Sequence, residues 1–372
     1  MIFPSHSTQR RDAIIDVGSN SIRMVVYVQH NNRRYYLFNE SMKCRLGSGL
    51  ADDGVILPRN IDLAEKALAR LMAIARHMDL TAIKAVGTAA LRDAQNGALV
   101  GEHLSQVAGL PIEIISQRRE AELVAEGMLS TNPHYEGFLA DLGGASIELV
   151  AIHKKTIISP ISLPFGILRT SDTEAHFAQA VQKYARDPHN CKIPEILCVT
   201  GGNWRYLAKV MMGFANHPVP LIEGYSLQKS QAIAYLDQII TIADINDLPE
   251  PDARRKNAII AARFLKELLE FLPVKNLVFS ASSIREGLYA QVITQQDAFC
   301  PNEVSNLNRS RWPGYEEELW RWLIESNLPL PSPRITDVFV NQADNFWHYH
   351  PDLRANVAYM NSLYSPIAEL NH

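Results

Sequence analysis

The pattern of apolar and polar positions along this chain predicts the same order of strands and helices twice. The first half opens with three strand-like runs and continues with alternating patterns, which predict strands at 13–17, 21–29, 33–40, 82–86 and 112–116 and helices at 61–78, 97–107 and 118–129. The second half repeats this order, with predicted strands at 137–143, 146–153, 156–163, 195–201 and 276–282 and helices at 172–185, from 203, and at 226–243, 253–271 and 283–293. Two similar halves predict an α/β fold in which two similar domains face a cleft.

The pattern changes after the second half. One amphipathic helix is predicted at 313–326, and a proline-rich break follows at 328–334. We therefore expect three parts, a first domain at 1–132, a second domain at 133–296 and a short helical C-terminal segment at 297–372.

Composition and charge narrow the classes of function. The 372 residues are 47% hydrophobic with a formal net charge of −4, so nothing draws the whole chain to nucleic acid or anionic lipid. The longest apolar stretches fall short of the ~20 residues of a membrane span, and the N-terminal run is too short for a signal peptide. Scattered cysteines are expected to be buried thiols in a reducing compartment: Cys44, Cys191, Cys198 and Cys300. The sequence thus predicts a cytoplasmic protein that binds any polyanion locally.

Two turns between predicted strands have the composition of a phosphate site. The first is Asp16-Val17-Gly18-Ser19-Asn20-Ser21, and the second is Asp141-Leu142-Gly143-Gly144-Ala145-Ser146. In each turn glycine permits a tight backbone, and successive N–H groups can form a concavity that binds an anion. Either turn alone is better explained as an ordinary hairpin. Their equivalent places in two similar halves favour a jointly held phosphate chain with a Mg²⁺ ion near the two aspartates, because ligands of such folds bind at the carboxyl ends of strands.

Three further places are candidates with an equally simple structural explanation. Thr88 and Arg92 open a predicted helix after a strand, which suits phosphate binding but also describes a surface arginine. Gly201 and Gly202 repeat the strand-to-helix turn in the second half, where a plain tight turn is the alternative. Glu120 in the first turn of a helix could activate water, but from the residues alone a helix-stabilising acid is favoured.

Seven segments, in order from about residue 12 to 295, resemble the exopolyphosphatase / guanosine pentaphosphate phosphohydrolase family: AIIDVGSNSIRMVVY, VGTAALRDAQN, IEIISQRREAEL, FLADLGGASIELV, LPFGILRT, VTGGNWRYL and SASSIREGLY. The resemblance implies two actin-like ATPase-fold domains. It also implies metal-dependent removal of a terminal phosphate from polyphosphate or guanosine pentaphosphate. The family often forms dimers, and Trp312, Trp320 and Trp322 are candidates for an interface or an interdomain contact.

The resemblance also assigns roles to individual residues. The catalytic glutamate of the family corresponds to Glu120, and the arginine of its phosphate-binding helix corresponds to Arg92. Its Asp-x-Gly-Gly-Gly-Ser-x-Glu motif falls on Asp141, Gly143, Gly144, Ser146 and Glu148, and a late serine motif falls on Ser280 through Gly287. Mg²⁺ is then expected near Asp141, with help from Glu148 or Asp16.

Four departures from the family pattern bear on activity. Gln117 and Ser283 replace glycines, and Gln117 would be strained if its position needs a positive φ angle. Ala145 replaces the third glycine of the phosphate turn, where its methyl group would crowd a phosphate. Arg119 and Glu122 exchange the charges found in the family, and at spacing i, i+3 they are expected to pair.

The sequence therefore predicts an exopolyphosphatase in which Glu120 deprotonates water for in-line attack on the terminal phosphate. Guanosine pentaphosphate is the alternative substrate. A sensor that binds these ligands without turnover is the alternative from another class.

Overall fold

The computed structural model describes residues 10–30, 33–50, 53–168, 174–187, 193–217, 222–249 and 251–292. The C-terminal segment at 297–372 with its three tryptophans lies outside these ranges, as do Cys191 and Cys300. Cys44 and Cys198 are buried free thiols, as predicted. None of the helices in the described part of the chain is long and apolar enough to cross a membrane.

The first unit comprises the described residues up to Ser116 and those from Leu288 onward. Its sheet has the order β3-β2-β1-β4-β5, with the strands β1 (Arg11–Val17), β2 (Ser21–His30), β3 (Arg33–Lys43), β4 (Ala82–Gly87) and β5 (Ile112–Ile114). Its helices are α1 (Pro58–Ala75), α2 (Ala89–Asp93) and α3 (Gly97–Ala108). Leu68 and Leu71 of α1 lie three residues apart and share one core with Ile15 of β1, which is the face that the helical spacing predicted.

The second unit contains the described residues from Gln117 to Gly287. Its sheet has the order β10-β11-β9-β6-β7-β8, with the strands β6 (Gly137–Leu142), β7 (Ile147–His153), β8 (Thr156–Leu163), β9 (Ile196–Thr200), β10 (Ser226–Gln228) and β11 (Asn276–Phe279). The helices are α4 (Gln117–Thr131), α5 (Glu174–Ala185), α6 (Gly202–Phe214), α7 (Lys229–Ile240), α8 (Ala258–Phe271) and α9 (Ile284–Val292), whose last five residues belong to the first unit. Central strands β6 and β7 are buried over most of their length, as strands covered on both faces are.

The two sheets share one topology, which confirms the duplication read from the sequence. In each unit the first strand of an antiparallel three-stranded meander begins a series of parallel pairings. In the first unit β1 pairs with β4 and β4 with β5, and in the second unit β6 pairs with β9 and β9 with β11. The second sheet adds β10, which pairs antiparallel with β11. This three-residue strand was included in the helix predicted at 226–243, because it is too short to show a period of its own.

The observed division of the chain into two units differs from the predicted domain limits in the placement of α4. The limits 1–132 and 133–296 assign this helix to the first half. Its contacts are with β7 and β8, and the division of the chain accordingly falls between Ser116 and Gln117. The catalytic candidate Glu120 therefore belongs to the same unit as Asp141 and Glu148.

Helices α4 and α9 cross at two glycines of the second unit. A Cβ atom at Gly287 would lie 2.0 Å from the carbonyl oxygen of Leu123, and one at Gly127 would lie 2.3 Å from the carbonyl oxygen of Ser283. Backbone atoms cannot yield as a flexible side chain can, so both positions require the absence of a side chain.

We predict that Gly287→Ala lowers the free energy of unfolding by about 1–3 kcal/mol, the usual cost of overpacking a tight contact. Thermal and denaturant unfolding of the purified variant measure this loss. Gly202→Ala is the control, because a methyl group there meets only the side chain of Arg254, at 3.2 Å from its Nε atom. Unfolding free energies of Gly287→Ala and wild type that agree within error would contradict the close crossing.

Candidate active site

Three carboxylates of the second unit lie within electrostatic reach of each other. Asp141 and Glu148 are directly opposite in the antiparallel pairing of β6 with β7, so their side chains lie on the same face of the sheet. Glu120 occupies the first turn of α4, which packs against β7 and β8. The charges of Glu120 and Asp141 both raise the pKa of Glu148, which shows that the three groups form one cluster.

Burial is the largest influence on Glu148. This side chain is 3% exposed, and desolvation raises the pKa of its carboxyl group well above the ordinary range before the two neighbouring charges raise it further. Hydrogen bonds from Ser146 and Ser162 act in the opposite direction, and the Oγ atom of Ser162 donates to Oε1 at 2.8 Å. The carboxyl group is thus fixed in place while its charge is disfavoured.

The donor set of this cluster fits a hard divalent cation. Carboxylate oxygens are the protein ligands that Mg²⁺ prefers, and the ion commonly takes one or two of them and completes its shell with water and substrate phosphates. Among the residues that the structure describes, no three His, Cys, Asp or Glu side chains are grouped as ligands of one metal ion. Asp141 and Glu148 as ligands of a divalent cation stay a prediction.

The two predicted phosphate turns have the same backbone construction. The N–H group of Gly18 donates to the carbonyl of Ser21 at 3.1 Å, and the N–H group of Gly143 donates to the carbonyl of Ser146 at 2.9 Å. In each case a later segment braces the turn by donating to its carbonyl groups. Residues 44–47 donate to Ser19 and Asn20, and residues 167–168 donate to Gly143 and Gly144, with distances between 2.7 and 3.4 Å.

The charges at equivalent positions of the two turns differ. Asp16 in β1 is opposite Arg23 in β2, whereas Asp141 in β6 is opposite Glu148 in β7. A direct cross-strand neighbour of opposite charge stabilises a carboxylate, and one of like charge destabilises it. Only the second turn therefore places two like charges opposite each other, and it is the stronger candidate for the metal. Asp16 as a further ligand stays a prediction.

Gly201 adjoins the carboxylate cluster from the next parallel strand. It follows Thr200, which is the partner of Asp141 in the pairing of β6 with β9, and its φ angle is +99°. A Cβ atom at Gly201 would lie 2.7 Å from Oδ1 of Asp141 and 2.6 Å from the carbonyl oxygen of Leu142. Only glycine fits here, which gives a structural reason for the Gly201-Gly202 turn whether or not it also binds phosphate.

Thr88 and Arg92 lie in the first unit at α2. The side chain of Thr88 is 6% exposed, and its N–H group donates to the carbonyl of Val17 at 3.2 Å. Arg92 pairs with Asp93 at 3.1 Å and also donates to the carbonyl of Ile115 at 3.4 Å. These contacts lie within the first unit and do not test phosphate binding. The role of Arg92 in phosphate binding remains a prediction.

Comparisons with known proteins show the family of this chain. The model of the Ppx/GppA phosphatase family matches residues 25–296. This chain is a member of the Ppx/GppA family. The crystal structure of the Aquifex aeolicus family member superimposes with a TM-score of 0.64 at 19% identity, over 76% of this chain and 97% of that one. A crystal structure of an exopolyphosphatase from Cytophaga hutchinsonii gives a TM-score of 0.64 at 21% identity, over 76% of this chain and 98% of that one. The expected actin-like ATPase fold is thereby confirmed.

The expected strain at Gln117, one of the departures from the family pattern, is absent. Gln117 is the first residue of α4 and does not have a positive φ angle, so a side chain is tolerated there. Ala145 does not have a positive φ angle either, and it is 1% exposed. Ser283 stabilises the start of α9 through two hydrogen bonds of its Oγ atom. This atom donates to Oε2 of Glu286 at 2.5 Å and accepts from the N–H group of Arg285 at 3.3 Å.

The exchanged charges beside the catalytic candidate also pair as expected. Arg119 and Glu122 form an ion pair of 3.1 Å at spacing i, i+3. Arg119 additionally binds both carboxylate oxygens of Glu126, at 2.8 and 3.2 Å. These ion pairs connect successive turns of α4 next to Glu120.

Sequence reasoning missed Glu223, a buried residue of this Ppx/GppA member. Its carboxylate oxygen Oε2 accepts hydrogen bonds from the N–H group of Ala281 at 2.5 Å and from Oγ of Ser280 at 2.9 Å. The motif that contains Ser280 had been recognised, but a single glutamate between a proline-rich stretch and a three-residue strand carries no periodic signal.

We predict that Mg²⁺ raises the melting temperature of chelator-treated protein, because a cation would offset the repulsion within the carboxylate cluster. A ligand that binds only the folded state at about 100 times its Kd adds about 2.7 kcal/mol of stability. Glu148→Gln is expected to shrink this increment. Without metal at neutral pH it is expected to melt higher than wild type, because the raised pKa of Glu148 means that stability is lost as pH rises through its folded value.

Glu136→Gln is the matched control, since Glu136 pairs with His153 at 2.8 Å away from the cluster. It should keep the full Mg²⁺ increment. An increment that is zero in wild type, or equal in wild type and Glu148→Gln, would contradict the metal assignment.

Proposed function

We propose that this Ppx/GppA protein is a Mg²⁺-dependent exopolyphosphatase, which hydrolyses the terminal phosphoanhydride bond of inorganic polyphosphate and releases orthophosphate. The observation that carries the proposal is the cluster of Glu120, Asp141 and Glu148 beside a braced glycine turn at the carboxyl edge of a sheet. Membership of a phosphatase family supports hydrolysis as the reaction. The exopolyphosphatase from Cytophaga hutchinsonii supports polyphosphate as the substrate class through its fold.

Glu120 is the proposed general base. It is 7% exposed and lies in the first turn of α4, where the helix dipole favours the ionised carboxylate. Its carboxylate accepts a proton from water while the water oxygen attacks the terminal phosphorus. The bond from that phosphorus to the bridging oxygen breaks, and the bridging oxygen leaves as the negatively charged end of a polyphosphate shortened by one unit. Positioning and electrostatics supply most of the catalysis in such reactions.

Asp141 and Glu148 are the residues that would hold Mg²⁺, which when bound supplies positive charge to the phosphate oxygens. Ser146 and Ser162 orient the carboxyl group of Glu148 for this role. Residues 143–146, whose turn is fixed by the bracing segment at 167–168, orient the terminal phosphate. The first-unit candidates, the turn at 18–21 with Thr88 and Arg92, stay predicted phosphate-binding residues.

One argument for a sensor without turnover was strain at Gln117, and it does not hold because Gln117 has no positive φ angle. Crowding of a phosphate by the methyl group of Ala145 stays a prediction. Glu120, Asp141 and Glu148 are all retained, as a catalytic site requires.

We predict that Glu120→Gln lowers kcat for polyphosphate by a factor on the order of 10²–10⁴, the usual contribution of a positioned base. Binding should change little, because the amide has nearly the size of the carboxylate. Phosphate release and equilibrium binding of polyphosphate measure the two effects. Glu122→Gln is the control on the same helix, since Glu122 pairs with Arg118 and Arg119 at the surface. A kcat for Glu120→Gln within a few-fold of wild type would refute the role of base.

The substrate is tested by comparing phosphate release from long-chain polyphosphate, guanosine pentaphosphate and ATP with Mg²⁺ present. We expect the highest kcat/KM with polyphosphate. A higher value with guanosine pentaphosphate would replace the proposed substrate and keep the mechanism. Absence of release from all three, with retained polyphosphate binding, would support the sensor and refute the enzyme.

A further inference from the structure

A buried polar network lies at the carboxyl edge of the second sheet, apart from the three carboxylates. It is centred on Glu223, whose side chain is 3% exposed and which precedes β10. Its partners belong to residues 280–283, the serine loop, which joins β11 to α9 and is almost wholly buried. Burial of so many polar groups is tolerated only when they are hydrogen-bonded.

Glu223 holds the serine loop at two points. Oε2 accepts from the N–H group of Ala281 at 2.5 Å, and Oγ of Ser280 lies 2.9 Å from Oε2 and 3.2 Å from Oε1. The hydroxyl of Ser280 lies 2.9 Å from the hydroxyl of Ser282 and accepts from the N–H group of Ser282 at 3.1 Å. One carboxylate thus fixes the start of the loop, and Ser280 passes this constraint to Ser282.

The other end of this network adjoins the candidate active site. Thr200 donates through Oγ1 to the carbonyl of Ser282, and Arg205 donates to Oγ1 of Thr200 at 3.1 Å. Thr200 is the partner of Asp141 in the sheet and directly precedes Gly201, the residue that lies against the Asp141 carboxylate. The path from Glu223 to Asp141 therefore consists of buried hydrogen bonds and one sheet pairing.

Sheet geometry places the serine loop close to the same edge. The N–H group of Ser280 donates to the carbonyl of Val199 at 2.9 Å, so Ser280 is level with Thr200 on the neighbouring strand, as Asp141 is on the other side. Strands are spaced roughly 4.8 Å apart, so the backbones at Ser280 and Asp141 are about 10 Å apart.

We propose that Glu223 is a positioning residue of the hydrolase: it holds the serine loop in the arrangement that fixes Thr200 and Gly201 beside Asp141, and turnover depends on the direction of the hydrogen bonds from Glu223 through Ser280 to Ser282. The effect on turnover rests on the function proposed above. No contact between Glu223 and substrate is implied.

The direction of these hydrogen bonds has two states. When Glu223 is ionised it can only accept, so the hydroxyl of Ser280 donates to it and accepts from Ser282. When Glu223 carries a proton on Oε1, it can donate to Ser280, whose hydroxyl then donates to Ser282. Protonation thus reverses the order of two hydrogen bonds next to Thr200 without moving a heavy atom.

The surroundings of Glu223 let both states exist near neutral pH. The pKa of Glu223 is raised to about 7, mainly by burial and also by the charge of Glu286 on α9, while hydrogen bonds from Ala281 and Ser280 and the charge of Arg205 on α6 act to lower it. The thiol of Cys198 on β9 also faces it, and the charge of Glu223 contributes to the raised pKa of that thiol. A glutamate with a pKa of about 7 gains or loses its proton near neutral pH.

The test compares the pH dependence of kcat for polyphosphate in wild type, Glu223→Gln and Ser280→Ala between pH 5.5 and 8.5. Wild type should show a change of kcat with an apparent pKa near 7. Glu223→Gln imitates the protonated state and should lose this change, with kcat altered at least three-fold at one end of the range and KM little affected. Ser280→Ala should also lose this change, because without the Ser280 hydroxyl no hydrogen bond passes the protonation state of Glu223 to Ser282.

Glu270→Gln is the control, since Glu270 is exposed and contacts only Lys266 at 3.8 Å among the ion pairs of the described residues. It should keep the wild-type profile. A purely structural role would lower stability in Glu223→Gln and Ser280→Ala but leave the shape of the pH profile unchanged. A wild-type profile in Glu223→Gln would overturn the proposal, and so would the same loss of the pH-dependent change in Glu270→Gln.

Melting temperatures separate failure of this proposal from failure of the proposed function. The raised folded pKa of Glu223 means that stability falls as pH rises from the ordinary glutamate range to about 7, so Glu223→Gln should gain in melting temperature relative to wild type between pH 5 and pH 8. Wild type without turnover of any substrate refutes the proposed function and, with it, the effect on kcat. A melting difference that stays constant with pH refutes the titration of Glu223 whether or not the enzyme is active.

Discussion

Electrostatic repulsion among Glu120, Asp141 and Glu148 is the constraint on which the candidate site depends. Sheet pairing holds Asp141 opposite Glu148, and the packing of α4 on β7 and β8 brings Glu120 to the same place. The cost is visible in the raised pKa of Glu148. Perturbed carboxyl groups cluster at functional sites, because a cation or a substrate supplies the charge that the fold leaves out.

The two units share one scaffold, and the carboxylate cluster belongs to the second of them. Both units build a braced hairpin turn at the end of a central strand, with an aspartate two residues before the glycine. The residue opposite that aspartate is Arg23 in the first unit and Glu148 in the second. The charge opposite the aspartate is therefore reversed between the two turns, and the proposed metal site lies at the turn where two like charges are opposite each other.

The second unit, which contains the carboxylate cluster, has several close backbone contacts. Gly201 allows the β9 turn to lie directly against Asp141, and Gly127 and Gly287 allow α4 and α9 to cross with their backbones in contact. The hydrogen bonds of Glu223 and the serine loop complete the edge of the sheet. Positions of charged groups in phosphoryl transfer must be held closely, because most of the rate enhancement comes from preorganised geometry.

The sequence by itself determined the duplicated α/β order, the two turns and the family, because strand and helix periods are local and the glycine-rich turns have their own composition. It made Asp141 a candidate through the composition of its turn, whereas the roles of Glu120 and Glu148 came through resemblance; from the residues alone Glu120 was better explained as a helix-stabilising acid. Tertiary structure decided that α4 belongs with the second sheet, that Gln117 is unstrained, and that β10 is a strand rather than the start of a helix. It alone revealed Glu223, whose partners are 57 and 58 residues away. Contacts between distant residues depend on how the strands are ordered in the sheet, and no local pattern of residues encodes that order.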